Sequence, residues 1–240
     1  MTPLVLVHGF MGGSAQWDLQ LADLGAHREV IAIDLPGFGK NNHMPANASI
    51  EGYAKWVIGE LRSKGFGKYD LLGHSMGGMI VQEMVRHDPD QINRLVLYST
   101  GPVGVLPGRF ETIAQSKARA KLDGAKATAR RIAATWFLDR EQGEDYAGCA
   151  AIAERATTEA IAAGLDAMEG WSGTDHLGDI KQQSLVIWGD KDRTYPWSQT
   201  ELLWRGIPHT NLAVVPGCAH AVHLEKPAIF NSLLIDWLEG

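Results

Sequence analysis

The chain has 240 residues, 45% of them apolar, which suits one large domain, or a domain with an insertion, built around a single core. A formal charge of −6, from 22 basic and 28 acidic residues with no dense Lys/Arg stretch, argues against a nucleic-acid face or a membrane-surface patch and leaves small-molecule chemistry. Cys149 and Cys218 make no disulfide framework, no apolar run approaches the ~20 residues that span a bilayer, and MTPLVLVHGF lacks signal-peptide features, so a soluble cytoplasmic protein is expected.

The first β-rich run is PLVLVHG at 3–9, a near-continuous Val/Leu stretch of the kind buried on both faces of a parallel sheet. It closes on His8-Gly9-Phe10, where the glycine permits a close backbone approach and the Phe10 N–H is a candidate donor to a bound oxyanion. His8 reads as a structural hydrogen-bonding residue of that loop. EVIAID at 29–34 is the second run, and a helix is expected over 49–64. The intervening GFGKN lacks the third glycine of a dinucleotide fingerprint, and no Walker loop occurs.

The third run, YDLLG at 69–73, leads into Gly73-His74-Ser75-Met76-Gly77 and a helical pattern over 76–87 in which Ile80/Val81 and Met84/Val85 share a face. A serine at such a corner can be only a helix cap. The strand-turn-helix context points instead to a nucleophile. A turn this tight strains its central residue, glycines two places to either side keep side chains out of the gap, and the hydroxyl stands at the positive end of the following helix. The Met76 N–H can then point at an oxygen bound beside that hydroxyl.

INRLVLYS at 92–99 is the fourth run. Some eighty residues then pass without a convincing strand, Ala-rich and helically spaced in RFETIAQSKARAKL, AKATARRIAATWFL and EDYAGCAAIAERATTEAIAAG, too long for a plain crossover. They predict a helical cap over 105–178, inserted between core segments 1–104 and 179–240. Such a cap roofs an apolar pocket, with Met11, Leu106, Phe110, Trp136, Phe137, Trp171 and Val222 as candidate lining residues. Arg109, Arg119, Arg130 and Arg131 in the cap are either solvated or able to hold substrate carboxylates.

SLVIWG at 184–189 opens a loop with two candidate acids, Asp190, which suits a turn cap, and Asp192, deeper and better placed to turn back towards a histidine. After a helical pattern over 197–205, NLAVVPG at 211–217 ends in GCAHAVHLEKP and a last helix over 226–239. Two candidate bases, His220 and its rival His223, lie there, at the C-terminal sheet edge shared with Ser75. The HAVH pair has no third ligand near it, so no metal and no other cofactor is expected. A serine needs a base to take its proton and a group to hold the tautomer of that base, and the order Ser, Asp, His is that of the nucleophile elbow.

HGF, DLPGFGK, GHSMGG, GDKDRTYP and GCAHAVHLEKP together resemble the α/β-hydrolase superfamily of serine esterases, over nearly the whole chain apart from the cap. The resemblance implies an α/β fold of about six parallel strands flanked by helices. It assigns Ser75 as nucleophile, Asp192 as acid and His220 as base, with the Phe10 and Met76 amides as oxyanion donors. Asn41 stands where many relatives carry a serine. Hydrolysis of short- to medium-chain carboxylic esters is the activity expected, on a small-molecule partner. The same triad also serves carbon–carbon bond hydrolases, perhydrolases, a biotin-pathway methyl-ester esterase, a menaquinone-pathway lyase and slow-turnover signal-binding proteins. Dehalogenation would call for an aspartate at position 75.

Overall fold

The computed structural model describes residues 1–107 and 111–240. Six parallel strands, β1 (Leu4–Val7), β2 (Val30–Ile33), β3 (Tyr69–His74), β4 (Ile92–Tyr98), β5 (Gln183–Gly189) and β6 (Thr210–Val215), form one sheet in the order β2-β1-β3-β4-β5-β6. Each falls on one of the six β-rich runs. The chain steps outward from β1 to β2, crosses back to β3 on the other side of β1, and then adds strands in one direction. The order therefore reverses between β1 and β3, and at such a switch point the connecting loops part and leave a crevice at the C-terminal strand ends.

The α-helices in chain order are α1 (Asp18–Leu24), α2 (Ile50–Ser63), α3 (Met76–His87), α4 (Ile113–Asp123), α5 (Ala125–Ala134), α6 (Tyr146–Ala153), α7 (Thr158–Glu169), α8 (Trp197–Gly206), α9 (Val222–Glu225) and α10 (Pro227–Glu239). Strand alternation divides the core in two. Leu4 and Leu6 of β1 pack with Leu24 of α1 and with Phe230, Leu234 and Leu238 of α10. Val5 and Val7 pack with α2, α3 and Leu203 of α8 on the opposite face.

Helix α2 shows what sets these elements. The Ser49 hydroxyl accepts from the Gly52 N–H at 3.0 Å, and Ile50, Tyr53, Ala54, Val57, Ile58 and Leu61 form one buried stripe. A cap contributes about 1 kcal/mol, whereas each large apolar side chain contributes about 1.5–3 kcal/mol on full burial. Packing therefore decides that the helix forms, and the cap decides where it starts.

Helices α4 to α7 all lie between β4 and β5, in the strandless stretch, and α4 opens with a capping box between Thr112 and Gln115. Ile113, Ala129, Ala133, Ile161 and Leu165 from this group belong to the same apolar cluster as Met11 and Phe38. Helix α1 and the single turn α9 were not foreseen. Of the seven residues of α1 only Gln20 and Leu24 are buried, too few to show a period. Among the described residues no helix is long and apolar enough to cross a membrane.

Candidate active site

Ser75 joins β3 to α3 at φ 57°, ψ −121°, a conformation costly for any residue with a side chain. Its hydroxyl makes no cap bond to α3. The corner is held by its backbone instead: Ser75 N–H donates to the Tyr98 carbonyl at 3.0 Å, and Thr100 Oγ1 donates to the Ser75 carbonyl at 2.7 Å. The flanking glycines are required by contact, since a Cβ on Gly77 would be driven into the Val7 carbonyl and one on Gly73 into the carbonyl of Gly77. A Cβ on Gly9 would sit 2.9 Å from that of Ser75, so the loop after β1 runs directly beside the serine. Neither the Phe10 nor the Met76 N–H donates to a backbone acceptor among the described residues.

That loop is itself fixed. His8 Nδ1 bonds the Gly9 carbonyl at 2.7 Å and Nε2 accepts the Leu35 N–H at 3.0 Å, an arrangement that requires a neutral ring. Burial pushes its pKa down to about 4, consistent with a structural role. Asp34 takes the Ser14 N–H, the Ser14 hydroxyl and the Lys40 N–H at 2.9, 2.6 and 3.0 Å, tying the loops after β1 and β2 together. Asn41 Nδ2 donates to the Asp34 carbonyl at 2.7 Å.

At the ends of β5 and β6 the structure separates the two acids and the two histidines. Asp192 Oδ2 accepts from His220 Nδ1 at 2.9 Å, and its Oδ1 accepts the N–H groups of Thr194 and Tyr195 at 2.7 and 3.1 Å, so both oxygens are engaged and both side chains buried. With Nδ1 carrying the proton, His220 Nε2 is left as an acceptor. Asp190 Oδ1 instead accepts the Gly217 N–H at 2.6 Å, which joins the β5 and β6 loops. His223 lies behind, with Nδ1 3.0 Å from the Tyr98 hydroxyl and burial pushing its pKa down to about 3. The His220 carbonyl is held by His74 Nε2 at 3.1 Å and by the Tyr98 hydroxyl at 2.9 Å. Burial, then the nearby His220 and His223, keeps His74 well below the ordinary histidine range. The Tyr195 ring stacks over His220 at 5.7 Å.

Ser75, His220, Gly9 and Phe10 open onto one cavity of about 730 Å³. Such a volume is of the size that takes a small-molecule ligand, roughly 300–1,000 Å³. Residues 4–233 match the model of the Alpha/beta hydrolase family. The chain belongs to that family. A pimeloyl-[acyl-carrier protein] methyl ester esterase from Yersinia enterocolitica is 27% identical over 245 residues, covering 98% of this chain and 93% of the relative. A 2-hydroxy-6-oxo-6-phenylhexa-2,4-dienoate hydrolase from Comamonas testosteroni is 26% identical over 260 residues, with 98% and 87% covered. Among solved structures, a thermophilic esterase from Thermogutta terrifontis superposes with a TM-score of 0.90 at 27% identity, over 100% of this chain and 90% of that one.

In this alpha/beta hydrolase the cavity wall differs from the one expected. Leu106 and Trp136 line it, joined by Ile132, Ile161, Leu165 and Met168. Met11, Phe137, Trp171 and Val222 do not, and the expectation is corrected for these four. Met11 and Phe137 are packed in the interior, Phe137 against Gly143 and Tyr146. Trp171 donates its indole N–H to Glu83 at 2.8 Å, and Val222 sits in the cluster beneath α10. Apolar character marks them all as buried without saying against what. Phe110 and Arg109 lie outside the described residues. Of the remaining arginines, Arg130 pairs with Glu154 at 2.5 Å away from the cavity, while Arg119 and Arg131 line it. Thr128, Arg140 and Arg193 line it too, and Thr128 gave no signal in sequence because a lone helical threonine has none.

Proposed function

We propose that the chain is a serine hydrolase that cleaves carboxylic esters of short to medium acyl chain through an acyl-serine intermediate. The reading is carried by one observation: Ser75, strained at its corner, shares a cavity with a buried His220 whose Nδ1 is 2.9 Å from Asp192. Ser75 Oγ attacks the ester carbonyl while His220 Nε2 takes its proton, and Asp192 steadies the imidazolium that forms. The oxyanion is held by the Phe10 and Met76 N–H groups, which have no other backbone acceptor among the described residues. His220 returns the proton to the departing alcohol. Water then repeats the sequence on the acyl-serine, releasing the acid and restoring the hydroxyl.

Helices α4 to α7 act as the cap in this reading, and Leu106, Ile132, Trp136, Ile161, Leu165 and Met168 as the apolar wall for the acyl chain. The esterases similar to this chain at 27% identity support ester chemistry. Carbon–carbon bond hydrolysis is the second reading, favoured by the similar dienoate hydrolase at 26% identity.

Two measurements test the first reading. A fluorophosphonate probe should label Ser75, and Ser75→Ala should lose ester turnover while keeping the native circular dichroism; labelling elsewhere would reject the assignment. Across acetate, butyrate, hexanoate, octanoate and laurate esters, kcat/KM should climb by at most about 0.8 kcal/mol per methylene and then fall once the cavity is full. A monotonic rise to laurate contradicts it.

A further inference from the structure

Helix α5 presents Thr128 and Arg131, one turn apart, to the cavity that holds Ser75 and His220. Thr128 is 1% exposed, and among the described residues its Oγ1 has no hydrogen-bond partner. Arg131 Nε is likewise buried and unpartnered. Buried polar atoms are rarely left unpaired, because each forfeits its hydration without return. Two such atoms on adjacent turns, one of them on a permanent cation, make a site built for an oxygen-bearing anion.

The other arginines of the cavity are differently placed. Arg119 is held by Glu111 at 2.8 Å and Asp123 at 3.3 Å, Arg193 donates to the carbonyls of Phe137 and Leu138, and Arg140 is exposed. Among the described residues, four arginines against two glutamates, Glu111 and Glu141, give the lining a positive excess within a chain of net charge −6. Ile132, Leu165 and Met168 provide an apolar wall for methylenes between the two ends of a ligand.

We propose that Thr128 and Arg131 form a subsite for a carboxylate at the far end of the acyl chain, so that the preferred substrates are monoesters of dicarboxylic acids. The guanidinium receives the carboxylate and the threonine hydroxyl donates to the same group. The proposal rests on the ester-hydrolase reading for the reacting end of the substrate only.

The test compares monomethyl with dimethyl esters of glutaric, adipic, pimelic and suberic acids on the wild type, Arg131→Met and Thr128→Val. At the best chain length the wild type should favour the charged monoester by roughly 10–100-fold in kcat/KM, the factor expected of a charge-assisted contact. Arg131→Met should bring that ratio to about one, and Thr128→Val should lower it by roughly threefold to tenfold, as expected for loss of one hydrogen bond. A wild-type ratio near one at every length, or a preference that survives Arg131→Met, overturns the subsite. If no ester is turned over, the hydrolase reading fails on its own, and binding decides the subsite. The free dicarboxylates should then raise the Tm of Ser75→Ala but not that of Ser75→Ala with Arg131→Met. No shift in the first, or equal shifts in both, overturns it. Thr128→Val, nearly isosteric, supplies the same comparison if the arginine variant does not fold.

Discussion

Two aspartates two residues apart after β5 make unlike bonds, and the difference sets their expected effects. Asp192 receives His220 on one oxygen and two backbone N–H groups on the other, so an amide there would face the His220 Nδ1–H with the wrong partner or force the other tautomer. Asp192→Asn is expected to lower kcat on a chromogenic ester by as much as ~10⁴. Asp190→Asn should cost far less, because Asp190 braces the Gly217 N–H and touches neither histidine. Steady-state kinetics on the two variants settles the order, and a larger loss at Asp190 would move the acid role to it.

At the scale of elements, the β3-to-α3 junction and the middle of α2 use glycine for opposite reasons. A Cβ on Gly77 would meet the Val7 carbonyl and come within 2.6 Å of the His8 carbonyl, both backbone atoms of β1 and its loop that cannot rotate aside. A Cβ on Gly59 would meet nothing within 4 Å. Gly77→Ala should therefore destabilise the protein by about 1–3 kcal/mol, the usual cost of overpacking. Gly59→Ala should stabilise it by roughly 0.5–1 kcal/mol, since a helix interior prefers alanine. Urea denaturation of the two variants gives both signs, and a stable Gly77→Ala would mean that α3 does not approach β1 as closely as described.

For the whole molecule, the buried imidazoles govern acid stability. Burial holds His8 at about 4 and His223 at about 3, and His74 well below its ordinary value of 6.5. Between pH 6.5 and about 4 the unfolded chain therefore takes up protons that the native state refuses, and stability falls as pH falls. Each imidazole contributes a slope of up to about 1.4 kcal/mol per pH unit in that window. Below the native pKa a given ring is protonated in both states and its contribution stops changing. Urea midpoints should drop steeply from pH 7 to pH 5 at constant salt; a flat profile would show that these rings are not held neutral.

What the sequence determined by itself are the features set by neighbours along the chain. β-rich apolar runs mark all six strands, the edge strands β2 and β6 only partly buried, and the strandless stretch marks the helices between β4 and β5. Gly-x-Ser-x-Gly between a strand and a helix confines Ser75 to its corner because the clashes its glycines avoid are with backbone a few residues away or in the adjoining strand. The tertiary structure alone decided matters that depend on how distant segments dock. Residue spacing leaves His220 and His223 both open, and the family resemblance names His220; in the fold His220 meets Asp192 while His223 turns to the Tyr98 hydroxyl. Trp171 and Phe137 are as apolar as Trp136, yet only Trp136 reaches the cavity. Thr128 and Arg131 acquire meaning only when α5 settles with that face on the cavity. Burial is a property of composition and period, whereas the identity of what a buried side chain faces is fixed by contacts between segments well separated along the chain, such as Asp192 with His220, and those exist only in the folded chain.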